Sequence, residues 1–177
     1  MNHTLKMTEL LRQLKREKNG AVVENMELRG IHYPLNYGVS QFTLKQIATQ
    51  YGTDDALARF LYSQQVRELQ LSSFLIADAA ALTLDGLEFW LSGVKNTELA
   101  ENFASSLLSK SKIVKEAVAQ MLAADDDMLK YSALVCVVKS HRSFDSAEKR
   151  AFVEQFGSCG KPLLESVADR IEMQLNY

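Results

Sequence analysis

Apolar residues return every three or four positions along nearly the whole chain, and nowhere do they alternate over the length that a pair of strands needs. Residues 4–18 set Leu5, Leu10, Leu11 and Leu14 near one face and Arg12, Lys15, Arg16 and Lys18 largely on others, which predicts an amphipathic helix stopped at Asn19 and Gly20. A short segment with Val22, Val23 and Met26 follows. From Arg29 to Gly38 two glycines and Pro34 forbid a regular helix and predict an ordered loop. Ser40 is a good N-cap for a helix carrying Phe42, Leu44, Ile47 and Ala48, and Thr53 repeats the device ahead of Leu57, Phe60 and Leu61. Residues 66–77 turn apolar nearly all round in their second half, the mark of a helix buried between neighbours.

The second half of the chain repeats this alternation of striped and wholly apolar helices. Thr83 caps a segment with Leu87, Trp90 and Leu91, and Asn96 or Thr97 opens another with Leu99, Phe103, Leu107 and Leu108. From Ser111 the positions Ile113, Val114, Ala117, Val118, Met121 and Leu122 form the cleanest stripe. After three consecutive aspartates comes a segment over 128–139 whose residues 131–138 are again nearly all apolar, and because no partner strand exists it is read as a buried helix despite three valines. Asp145 and Glu148 have capping-box spacing, and Pro162 suits the first turn of a last helix reaching Leu175. Nine or ten short helices of this kind predict an all-α stack of HEAT-like antiparallel helix pairs with a repeat of about 40 residues, an irregular helical bundle being the alternative.

Composition narrows this little. With 177 residues, 47% hydrophobic and 24% charged, the chain can bury one sizeable core, and two prolines and eight glycines leave no room for a linker, so a single domain over 1–177 is expected. No apolar run approaches the roughly 20 residues of a membrane span, and a cytoplasmic location follows. Cys136 and Cys159 are too far apart for a CxxC motif and read as a buried thiol and a loop thiol. His32 and Tyr33 sit in the glycine- and proline-bearing loop, where side chains often serve binding, but no second ligand at suitable spacing supports a metal. No cofactor motif is present either. A net charge of −2 is unfavourable for a dedicated nucleic-acid binder, so local patches must do that work. Lys110, Lys112 and Lys115, with Lys139, His141, Arg142, Lys149 and Arg150, could line one edge and touch phosphates, or stand as solvated helix ends.

Gly38-Val-Ser40, Leu44-Lys-Gln-Ile-Ala48, Glu68, Leu75-Ile-Ala-Asp78 and Leu87-Glu-Phe-Trp90, in that order, resemble the DNA alkylation repair family of HEAT-like alkylpurine DNA glycosylases over roughly residues 20–140. The resemblance implies a right-handed superhelix whose concave, cationic face grips duplex DNA by its backbone, and an activity that excises cationic alkylated purines without metal or cofactor. In the family pattern the tryptophan of Phe-Trp is followed by a second tryptophan opening the next helix and an aspartate one turn later. Those places fall on Thr97 and Glu101, so Trp90 and Thr97 mark the pocket and Glu101 is the catalytic candidate. An aromatic face there would pack on a cationic base, and a carboxylate would stabilise the sugar's developing positive charge. Glu101 keeps that charge on a longer arm, whereas Thr97 supplies no aromatic face. The family's paired phosphate-holding arginines fall on Lys130 and Tyr131, and Lys45, Lys112, Lys115 and Arg142 complete the candidate DNA contacts. Ordinary alternatives stand beside these: Trp90 as core, Glu101 as a solvated helix charge. The expectation is a DNA-binding repair protein with excision impaired or altered, set against a non-catalytic helical-repeat module that binds a protein partner.

Overall fold

The computed structural model describes residues 2–140 and 142–176; His141, one of the basic residues named above, lies outside the described residues. Every regular element among them is helical, with one isolated parallel bridge, Leu35 to Val66, and the chain forms two compact units, Met1–Asp78 and Ala79–Tyr177. Eleven α-helices are present among the described residues, more than the nine or ten expected, because almost every cap signal starts a short helix of its own.

Unit 1 contains α1 (His3–Arg16), α2 (Gly20–Leu28), α3 (Gln41–Ala48), α4 (Asp55–Tyr62) and α5 (Arg67–Ile76). α5 is the central helix, packed against α1, α3 and α4. Asn19 does not end α1; its side chain caps α2, accepting from the N–H groups of Ala21 and Val22. Ser40 caps α3 as expected, its hydroxyl accepting from Thr43 N–H at 3.1 Å. Thr53 does not cap α4: that role falls to Asp54, whose carboxylate accepts from Leu57 N–H at 3.0 Å and from Lys6 Nζ at 2.5 Å. Aspartate is the stronger cap here because it also places charge at the positive end of the helix and finds a cation.

The loop between α2 and α3 is tied to α5 by a buried ion pair. Arg67 and Glu68 are 2% and 0% exposed, and charges so deeply placed persist only when paired and fully hydrogen-bonded. Glu68 accepts from Tyr37 N–H at 3.2 Å, Val39 N–H at 3.3 Å and Arg67 Nη1 at 2.9 Å, while Arg67 Nη1 also donates to the Val39 carbonyl at 3.0 Å. Asn19 N–H donates to the Tyr37 carbonyl at 2.8 Å, which draws the chain so close that a Cβ on Gly38 would lie 2.0 Å from the Asn19 carbonyl oxygen. Gly38 also has φ 71°, a left-handed conformation that glycine adopts without penalty. The residues of this patch that carry the family resemblance, Gly38 and Glu68, therefore hold the backbone of unit 1.

Unit 2 contains α6 (Leu84–Leu91), α7 (Thr97–Asn102), α8 (Val114–Ala123), α9 (Asp127–Lys139), α10 (Ser146–Phe156) and α11 (Pro162–Leu175). Between α7 and α8 the chain runs through a π turn, Phe103–Leu107, and a 3-10 turn, Leu108–Lys110. α9 is the axis of the unit. Its residues 131–137 are all buried, it packs against α7, α8 and α11, and the Ser132 hydroxyl donates to the Ala100 carbonyl at 3.0 Å. The three valines lie in this buried helix, as the missing partner strand required. Asp145 and Glu148 form the expected capping box, and Pro162 opens α11.

Candidate functional site

Glu101 stands in the last turn of α7, whose first turn is fixed by Asn96, the side-chain oxygen accepting from Leu99 N–H at 2.9 Å. One turn back, Thr97 occupies the first position of the same helix and is half-buried. From α9, the Tyr131 hydroxyl donates to Glu101 Oε1 at 2.7 Å; from α11, Arg170 Nη1 lies 3.4 Å from the same oxygen. Three helices of unit 2 thus converge on one carboxylate. Burial, and then its hydrogen bond to the carboxylate, push the Tyr131 phenol above its ordinary value of 10, so it remains a neutral donor. The Glu101 and Arg170 side chains are 44% and 36% exposed, so the ion pair is open to solvent and worth little stability on its own.

Trp90, on α6, is fully buried, its ring edge-on to Phe89 at 5.2 Å between centroids. Thr97 and Trp90 together therefore present no aromatic face beside Glu101. Tyr131 is buried as well, with its hydroxyl turned to Glu101, so it holds the carboxylate in place. Lys130, its neighbour on α9, is half-buried.

The remaining cations separate into three groups. Lys45, Lys110, Lys112, Lys139 and Arg142 are exposed, with Lys45 in unit 1 on α3 and the rest in unit 2. Lys115 is committed internally: its Nζ donates to both Glu148 oxygens, at 2.7 and 2.9 Å, and lies 5.6 Å from the centre of the Phe144 ring. That contact, foremost, holds the Glu148 carboxyl below its ordinary range. Lys149 is buried and cannot line an exposed edge, and Arg150 borders a shallow hollow with Glu154 and Glu172, an acidic setting for a phosphate.

Arg170 was not among the candidates. It lies 69 residues from Glu101 on an amphipathic helix, and no local spacing signals that the two meet. Among the described residues no group of His, Cys, Asp or Glu could hold a metal, and no helix is long and apolar enough to cross a membrane. Cys136 is buried, its thiol pushed up to about 12 by desolvation, and Cys159 is half-buried; both are free.

A solved structure described as "a new family of proteins related to the HEAT-like repeat DNA glycosylases with affinity for branched DNA structures" is similar to this chain with a TM-score of 0.82 at 19% identity, covering 97% of this chain and 74% of that one. At that identity the likeness establishes a shared HEAT-like helical fold. A comparison with curated proteins finds no match. The family model for DNA alkylation repair enzymes matches residues 10–171, nearly the whole sequence, and the chain belongs to that family.

Proposed function

We propose that this protein binds DNA through its sugar-phosphate backbone and has little or no capacity to excise alkylated purines. The observation that carries this reading is the composition of the site around Glu101: a carboxylate with one oxygen engaged by the Tyr131 hydroxyl and Arg170, with Thr97 non-aromatic and both Trp90 and the Tyr131 ring buried. Excision of a cationic purine needs a face on which the base can rest and a carboxylate free to meet the charge that develops on the sugar. Backbone binding needs only accessible cations, which Lys112, Arg142, Lys45 and the half-exposed Arg170 supply. The similarity to a protein with affinity for branched DNA supports junction-containing DNA, alongside plain duplex, as the ligand to offer first.

Unit 2 contains eleven Lys and Arg against fourteen Asp and Glu, a net of −3, and this balance favours a second reading, a helical module docking a basic protein partner. One experiment separates them. Purified protein is titrated with linear duplex and with a three-way junction across a salt series, and release of alkylated purines is assayed in parallel with Glu101→Gln. Binding that weakens steeply with salt, with base release no faster than in Glu101→Gln, is the expected result. Base release that Glu101→Gln abolishes would restore a full glycosylase, and no binding at low salt would favour the protein partner.

A further inference from the structure

Among the described residues Phe42 is the only Phe, Tyr or Trp that is exposed, at 72%. Leu44, Ile47 and Ala48 are buried on one face of α3, and helical spacing sets Phe42 on the opposite, solvent-facing side. It lies in the first turn of α3, capped by Ser40, on a helix whose neighbours α1 and α5 hold it in position. Lys45 stands one turn along the same exposed side, and α3 contains no acidic residue. α1, packed against α3, ends in Lys15 and Arg16, with Glu17 and Lys18 just beyond; Lys15 Nζ lies 5.4 Å from the centre of the Tyr37 ring. Four of the eight acidic groups of unit 1, Glu9, Asp54, Asp55 and Glu68, are each held by a Lys or Arg.

We infer that Phe42 is a stacking platform for an unpaired or unstacked nucleobase, with Lys45 taking the adjoining phosphate. An aromatic ring largely presented to water beside a cation, on a helix without acidic residues, is the combination by which proteins grip single-stranded nucleic acid: the ring accepts any base face and the cation follows the backbone. Fully paired duplex keeps its bases stacked and offers the ring nothing. A branch point exposes bases that the interior of a linear duplex keeps stacked, so this site selects branched over linear DNA. The inference rests on the DNA-binding reading above and assigns to unit 1 a recognition role separate from the carboxylate site of unit 2.

The test uses the full chain with a three-way junction and a linear duplex of the same length, comparing Phe42→Leu, Phe42→Tyr and Lys45→Gln with the unmodified protein. Phe42→Leu is expected to lower junction affinity by about tenfold and leave duplex affinity unchanged, whereas Phe42→Tyr, which keeps the ring, retains the preference. Lys45→Gln is expected to lower the salt slope of junction binding by about one. Because the side chain is exposed, unfolding curves of the Phe42 variants should superimpose on the parent. Equal loss on both DNAs, or none on either, overturns the platform while the DNA-binding reading survives. A Phe42→Leu protein that binds junctions as well as the parent shows that apolarity alone suffices and also overturns it. Absence of any DNA binding by the unmodified protein ends both readings, and a protein ligand for Phe42 then takes their place.

Discussion

Gly38 shows how much one residue can constrain. Its φ of 71° and the 2.0 Å approach of the Asn19 carbonyl to any added Cβ leave an alanine no relaxed conformation, since the atom in the way is backbone. Gly38→Ala is expected to destabilise the protein by about 2 kcal/mol or more, the left-handed penalty plus the clash, measured by urea unfolding. Tyr131→Phe probes the carboxylate site at the same scale. The ring still fits its buried slot, so only the 2.7 Å hydrogen bond to Glu101 is lost, and the half-exposed carboxylate can turn to water. A loss of about 1 kcal/mol is expected; a loss as large as a core truncation would mean that the hydroxyl bond, more than the ring's packing, holds α7 to α9. Neither feature was written locally. Gly38 could be read as a loop glycine, but its contact with Asn19 depends on a chain returning from another helix, and Arg170 meets Glu101 only through the packing of α9 and α11.

Helix ends were the most legible part of the chain, because a cap is a transaction between neighbours. Ser40, Thr83, the Asp145 and Glu148 box and Pro162 all stand where their side-chain chemistry puts them. Thr53 lost its place to Asp54 for a reason the sequence could not display, the arrival of Lys6 from α1. The Asp54 pair leads to a pH prediction. Lys6, foremost, and the Leu57 N–H lower the Asp54 carboxyl below its ordinary 3.8 in the folded protein. A group lowered on folding stabilises above its unfolded value, and that contribution disappears as pH falls through the folded one. Asp54→Asn keeps an equally good cap but no charge. The stability gap between parent and Asp54→Asn should therefore be constant near neutral pH and close progressively below about pH 4. A gap that persists at pH 2 would assign the difference to the cap geometry.

At the scale of the molecule, charge is divided unevenly. Unit 1 carries nine Lys and Arg against eight Asp and Glu, a net of +1, while unit 2 is at −3. On the proposed DNA-binding reading, affinity comes from placed cations rather than from the mean field, and neutralising Lys112 and Arg142 together should lower the salt slope by about two for linear and branched DNA alike. An unchanged slope would remove both from the interface. Lys115→Gln should change the slope little, because its ammonium is already held by Glu148. The all-helical architecture was legible from periodicity alone, whereas the quality of the site was not: residue types placed a carboxylate at 101, but only packing showed which partners it had acquired.

The π turn directly after α7 makes the direction of that carboxylate depend on chain length. Residues 103–107 fit one more residue into the turn than an α-helix would, and each residue of an α-helix advances by about 100°. Removing one residue there would let the segment relax to regular helix and swing Glu101 by about a quarter turn relative to α9, away from Tyr131. Relatives could thus retune or abandon this site through a single insertion or deletion while every side chain around it stays the same.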